Sequence, residues 1–236
     1  MSLKEIIKSG ALTMGTALSD KALEKLNTYY EMLTDYNTRF NLTAIKGEED
    51  AANLHFLDSI GIFGAYNLNG RSVIDVGTGA GFPGIPLAVC DETISLTLVD
   101  STEKKVDFLR DVCSVLPLDA NCIHARAEDL GQDWDHRECY DIAVSRAVAR
   151  LNILSELCLP LVKVGGAFIA LKSSDSDGEI DEAKSAINAL GGRVKDVFEY
   201  PIPNTDIIRR AVVVEKISDT KEKYPRHYGA IKKNPL

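Results

Sequence analysis

The sequence has no run of about 18 apolar residues, so no membrane-spanning helix is expected. Its opening, MSLKEIIKSG, has neither a long apolar segment nor a small-residue cleavage site, so no signal peptide is expected either. The five cysteines, Cys90, Cys113, Cys122, Cys139 and Cys158, form no C-x-x-C pair. An odd set without metal-ligand spacing predicts free thiols in a reducing cytoplasm and no metal site. Positive charge is in deficit: 27 Lys and Arg stand against 35 Asp and Glu, a net charge of −8. That excludes a wholly basic nucleic-acid-binding surface and leaves room for a local patch. From Lys216 to Leu236, six Lys and Arg oppose two acidic residues, a surplus of four. No glycine loop is followed by G-K-[S/T], so a phosphate-transferring P-loop is excluded. Internal repeats and low-complexity tracts are absent as well.

What is present is ordinary globular composition, 45% hydrophobic and 26% charged, in 236 residues. This length suits one domain, or one domain with an extension. Residues 1–65 read as a helical extension. Ser19 is placed to cap a helix through DKALEKLNTYYEMLTDYNTRF, in which Leu23, Leu26, Tyr30 and Leu33 recur at helical spacing. GEEDAANLHFLDSIGIF reads as a further helix. Residues 66–218 then alternate short apolar runs with helical stretches. SVIDV, SLTLVD, ANCIHARAE, YDIAVSRAV and GGAFIALKS hold five strands, and RVKDVFEYPI with IIRRAVVVEKI predicts a closing hairpin. Alternation of this kind predicts an α/β fold, a mostly parallel sheet covered on both faces. Residues 219–236 form a basic tail.

The first strand runs into VIDVGTGAGFPG, and the carboxyl edge of such a sheet is where ligands bind. Gly79, Gly81 and Gly84 spell G-x-G-x-x-G, yet the glycine that ends the strand is Gly77. Asp75 is expected to point its charge where a dinucleotide pyrophosphate would lie, and Phe82 and Pro83 to crowd that approach. S-adenosylmethionine, an adenosine with an aminoacyl arm and a sulfonium but no phosphate, meets these conditions. Gly77 and Gly79 allow close backbone approach to the arm. Asp100, ending the second strand, can accept both ribose hydroxyls. Ala127 and Glu128, after the third strand, can receive the adenine amino group. Taken singly, the glycines need only make a turn, Asp100 need only cap the next helix, and Glu128 need only be a solvated charge. Their order along one sheet edge favours the ligand site.

DVGTGAGFPGIPLA, LVDSTEKKVDFLR, RAEDL, SRAVA and LPLVKVGGAFIALK together resemble the glucose-inhibited division protein B family. RFNLTAI (39–45), HFLDS (55–59), KYPR and KKNPL extend the resemblance over nearly the whole chain. It implies a class I S-adenosylmethionine-dependent methyltransferase, Rossmann-like, with a seven-stranded sheet and a helical N-terminal extension. The implied reaction is methylation of guanine N7 in the 530 loop of 16S ribosomal RNA, free or in a small-subunit particle. The implied protein is a cytoplasmic monomer. Cofactor contacts carry over to Gly77, Phe82, Ala127, Glu128 and Arg146. The tail departs from the family after YPR, where HYGAI replaces a basic residue and a proline.

Guanine N7 has an exposed lone pair, so no general base, nucleophilic cysteine or other catalytic side chain is demanded. Alignment of N7 with the sulfonium methyl suffices. Arg146, after the fourth strand, is placed to bind the methionine carboxylate, guanine or phosphate, or else to form a structural ion pair. His55 is either a packed core histidine or a substrate-positioning group. Arg39, Lys172 and Arg226 are surface cations by default and phosphate contacts by position. Two other readings remain: a methyltransferase for another RNA, a small molecule or a protein, and a non-catalytic nucleotide-binding regulatory module.

Overall fold

The computed structural model describes residues 1–44 and 47–236. Ile45, the last residue of RFNLTAI, lies outside the described residues. Seven strands form one sheet in the order β3-β2-β1-β4-β5-β7-β6. They are β1 (Ser72–Val76), β2 (Ser95–Asp100), β3 (Ala120–His124), β4 (Tyr140–Arg146), β5 (Val162–Ser173), β6 (Gly192–Pro201) and β7 (Ile208–Lys216). The first five pair in parallel, while β7 runs antiparallel to both β5 and β6. The expected closing hairpin is therefore present, inserted so that β7 lies inside and β6 forms the edge.

Alternate residues of each strand feed opposite faces of the sheet. Val73, Leu96, Leu98, Ile142 and Ile169 join one core, and Ile74, Val99, Ala143 and Phe168 join the other. The first face is covered by α1 (Leu3–Thr13), α2 (Asp20–Arg39), α3 (Glu48–Ala51), α4 (Asp58–Ile60), α5 (Ile62–Ala65), α6 (Gly84–Cys90) and α7 (Glu103–Val115). Ser19 caps α2 by accepting from Ala22 N, as its position predicts. Leu26, Tyr29, Leu33 and Phe56 are buried in the same core as β1 and β2, so the extension is packed into the domain. The second face carries α8 (Ala127–Leu130), α9 (Leu151–Cys158), α10 (Asp177–Ala189) and α11 (Tyr228–Lys233). Tyr224 and Ile231 of the C-terminal segment are buried there, so this segment is also part of the packed structure.

The helix expected over GEEDAANLHFLDSIGIF is not uniform. Between α3 and α4 the chain widens into a π-helical turn, Ala52–Leu57, and Asp58 N–H reaches Asn53 O. Such turns shift the residues after them around the helix axis and recur at functional sites. Here the turn carries His55 and ends at Asp58.

A candidate cofactor and substrate site

The loop after β1 is held from three sides. Gly77 N and Thr78 N both donate to Val99 O of β2, at 2.9 and 3.0 Å. Gly79 N donates to Asp100 Oδ2 at 3.0 Å. From below, Asp75 Oδ2 accepts from Thr78 Oγ1 at 2.6 Å and Gly84 N at 2.8 Å. The extension holds the loop from the fourth direction. Tyr29 OH donates to Ala80 O, and the Phe82 ring stacks on Tyr29 and on His55, with centroids 5.1 and 4.3 Å away.

This arrangement corrects the expectation for Asp75. Its carboxylate is fully buried under the loop and does not line the ligand cleft. Asp75 sits one residue inside β1, so the returning loop closes over it, whereas Asp100 is the last residue of β2 and reaches the sheet edge. Asp75 Oδ1 has no hydrogen-bond partner among the described residues. Burial raises its pKa from 3.8 to about 6, against the lowering effect of Thr78, Gly84 N and Arg146. The folded chain thus keeps a proton that the unfolded chain releases near 3.8. Folded molecules bind more protons across that window, so this group's contribution to stability falls as pH rises from about 4 to about 6. The change is about 3 kcal/mol at 1.36 kcal/mol per unit. His55 acts with the opposite sign. Burial first, then Arg146, lowers its pKa from 6.5 to about 3, so its contribution rises with pH over that interval. The Asp75 effect is therefore read as a difference. Urea unfolding from pH 3 to 7 should show the wild type losing about 3 kcal/mol relative to Asp75→Asn. Parallel pH profiles for the two proteins would contradict it.

Three adjoining cavities follow the carboxyl edge. The first, about 390 Å³, lies among Gly77, Gly79, Phe82, Asp100, His55 and Arg146. A Cβ on Gly79, whose φ is +63°, would project into open space. The backbone there has no side chain to block a ligand. The second, about 130 Å³, continues past Asp100 to Ala127, Glu128, Leu157 and Tyr228 and shares Gly77, Asp100 and Val148 with the first. The third, about 390 Å³, sits at the ends of β4 and β5 and is lined by His55, Asp58, Arg146, Lys172 and Arg209. It shares His55, Arg146 and Ala147 with the first.

Asp100 is 6% exposed at the end of β2. Its Oδ1 accepts from Thr102 N at 2.9 Å, at the start of α7, while the residue faces the cleft. Its Oδ2 accepts from Gly79 N and lies 3.4 Å from Lys105 Nζ, so of a carboxylate's roughly four acceptor positions about one, on Oδ1, stays open to the cleft. Arg146 forms the structural ion pair. Its Nη1 donates to Asp58 Oδ2 and Leu54 O, each at 2.9 Å, and its guanidinium carbon lies 5.2 Å from the Phe82 ring centre. Arg146 Nη2 lies 3.0 Å from His55 Nδ1 and must donate, so the ring is neutral there and Nε2 donates to Thr43 Oγ1 at 2.9 Å. Lys172 Nζ donates to Ala149 O at 2.8 Å and Glu179 at 2.6 Å in the wall of the third cavity.

Arg39 and Arg226 line none of these cavities among the described residues. Arg39 is exposed, paired with Asp35 and laid over Tyr36. Arg226 grips Glu156, whose side chain is 0% exposed, through Nε at 2.8 Å and Nη2 at 2.7 Å. Lys216 is likewise buried, on Glu138 at 2.8 Å. The basic tail therefore presents Lys221, Lys223, Lys232 and Lys233 to solvent, not all six cations. Three site residues escaped the sequence reading. Asp58, three residues after His55, carried a signal, being a charge in an apolar helical stretch. Arg209 shares strand parity with Ala211, which joins the first core, and so lies on the same face as α4 and Asp58. Tyr228 had no signal.

A family model described as rRNA small subunit methyltransferase G matches residues 22–208. The curated Ribosomal RNA small subunit methyltransferase G of Pelotomaculum thermopropionicum is 47% identical over 236 residues, covering 99% of each chain. The chain belongs to the rRNA small subunit methyltransferase G family. The same-named protein of Clostridium botulinum is 43% identical over the full length of both chains. Solved structures agree on the fold. A SAM dependent methyltransferase from Aquifex aeolicus superposes with a TM-score of 0.51 at 17% identity, over 70% of this chain and 92% of that one. A predicted O-methyltransferase from Agrobacterium tumefaciens gives 0.51 at 18%, over 64% and 76%. The methyltransferase G matches extend through the helical extension that holds the Gly77–Phe82 loop.

Proposed function

We propose that this chain transfers the methyl group of S-adenosylmethionine to N7 of a guanosine in the 530 loop of 16S ribosomal RNA. The observation that carries this reading is the shared wall. The cavity at the glycine loop and the cation-lined cavity at β4 and β5 meet at His55, Arg146 and Ala147. Two ligands can therefore meet within one cleft. Membership of the methyltransferase G family supports the RNA substrate, and the sequence resemblance supports N7 and the 530 loop.

The residues fit the cofactor. The backbone at Gly77 and Gly79 accommodates the aminoacyl arm, Asp100 the ribose hydroxyls, and Ala127 with Glu128 the adenine edge. When bound, S-adenosylmethionine supplies a methyl group on a sulfonium. The protein's task is to hold guanine N7 in line with it, and no proton need be removed from that nitrogen. His55, neutral and tied to both Arg146 and Thr43, has no base role. Arg146, Arg209 and Lys172 outnumber Asp58 in the third cavity, a surplus that suits a phosphate-bearing nucleotide. Lys172 contributes to this lining. Arg39 and the four exposed tail lysines supply surface attraction to RNA.

Asp100→Ala tests the cofactor arrangement. Calorimetric titration with S-adenosylhomocysteine should show binding weakened by about 1–3 kcal/mol, the cost of unpaired ribose hydroxyls. Unchanged affinity would contradict the assignment.

A further inference from the structure

The C-terminal segment is fastened to the sheet by buried polar contacts. Arg137 donates to Thr220 O at 2.6 Å and Tyr224 O at 2.7 Å. Lys216 Nζ donates to Thr220 Oγ1 at 2.7 Å, and Arg226 grips Glu156. Ile231 is buried in the core of that face. Between these anchors lies Tyr228, the first residue of α11, half-buried in the wall of the smaller cavity. The guanidinium carbon of Arg126 sits 4.7 Å from the centre of its ring. Arg126 Nε in turn donates to Glu128 Oε1 at 2.6 Å. Ring, guanidinium and carboxylate thus form one connected series along the compartment. Its remaining walls are largely aliphatic, with Val76, Val99, Val148 and Leu157.

We propose that Tyr228 is a cofactor-binding residue, whose ring walls the adenine compartment and, through Arg126, positions Glu128. The C-terminal segment then serves cofactor retention, and its buried anchors exist to deliver this side chain. The inference rests on placing the adenosine in the smaller cavity, as above. A π-face beside a purine is favourable whatever the edge contacts, because every base has a face to stack. The Arg126–Tyr228 contact adds cation–π attraction, which fixes the guanidinium that holds Glu128.

The test is calorimetric titration of S-adenosylhomocysteine and of adenosine into wild type, Tyr228→Ala, Tyr228→Leu, Tyr228→Phe and Asp100→Ala. RNA binding is measured in parallel. Tyr228→Ala should weaken both small ligands about tenfold, a modest value for one base–aromatic contact. Adenosine lacks the methionine arm, so an equal loss assigns the effect to the adenosine end. Tyr228→Leu keeps an apolar side chain at the position, should Ala impair folding, and is expected to lose a similar factor. Tyr228→Phe should restore wild-type affinity. If Asp100→Ala weakens binding while Tyr228→Ala and Tyr228→Leu do not, this inference falls and the cofactor site stands. If none of the three weakens it, both fall. A loss confined to RNA affinity would assign Tyr228 to the RNA and overturn the proposal.

Discussion

Arg226→Ala should cost about 3–5 kcal/mol of folding stability, the usual cost of removing one partner of a buried ion pair. Glu156 is 0% exposed and receives three hydrogen bonds from Arg226: Nε, Nη2 and the backbone N at 2.9 Å. Substitution leaves its carboxylate with the backbone donor alone among these. Differential scanning calorimetry should show Tm lower by roughly 6–20 °C, at 2–4 °C per kcal/mol for a chain of this size. Replacing both partners by apolar residues, Glu156→Met with Arg226→Leu, should be much milder, since no charge is then stranded. The outcome also decides between anchoring and RNA contact. At temperatures where the variant is folded, its RNA affinity should keep the wild-type salt dependence. A variant with wild-type Tm and a salt slope reduced by about one phosphate would return Arg226 to the RNA-binding role expected from its place in a basic tail.

Asp58→Ala should reduce single-turnover methyl transfer by about 100-fold, the scale expected when reacting groups are misplaced by about 1 Å. Asp58 is 3% exposed and is the hub of the third cavity. Arg146 Nη1 donates to its Oδ2 at 2.9 Å, and Arg209 Nε lies 3.3 Å from its Oδ1. Tyr200 OH donates to the Asp58 backbone O at 2.9 Å. Without the carboxylate, two guanidinium groups at the cofactor–substrate boundary lose their counter-charge. Arg146 then keeps only Leu54 O and His55 Nδ1 and is freer to leave its position beside the Phe82–His55 stack. Stability should fall as well, by about 3 kcal/mol. The backbone bond to Tyr200 remains, so the variant is expected to fold. Asp58→Asn keeps an acceptor and should retain more activity. Wild-type turnover in a folded Asp58→Ala would remove this residue from the account.

The strands were legible because β-branched runs of five to seven residues sit between glycines and helical stretches. SVIDV and SLTLVD match β1 and β2 residue for residue. The glycine loop and Asp100 were legible for a similar local reason, since the loop from Gly77 follows directly on β1 and Asp100 ends β2. Asp75 was misread because a strand-end position is not enough. A step of one residue, about 3.3 Å along the strand, separates a carboxylate under the loop from one at its rim. The ion pairs of Arg226 with Glu156 and of Lys172 with Glu179 were not legible, because spacing along the chain does not reveal them. Glu156 lies in the mostly apolar LNILSELC, and nothing local to Arg226 announces it. His55 admitted two readings because its neighbours come from three segments: Thr43, Phe82 and Arg146. Only their assembly shows it to be a packed, neutral ring and a cavity wall at once. Tyr228 became visible only when the tail was found folded onto the sheet.

Methyl transfer to mapped RNA tests the central claim most directly. Wild-type protein is incubated with S-adenosylmethionine and 16S RNA, as free transcript and as small-subunit particles, from cells lacking the endogenous activity. The RNA is then reduced with borohydride and cleaved with aniline, which breaks the chain at 7-methylguanosine. The account predicts one new cleavage, at a guanosine in the 530 loop, in at least one of the two substrates. Methylation elsewhere on the RNA, at a guanine atom other than N7, or on neither substrate would contradict it.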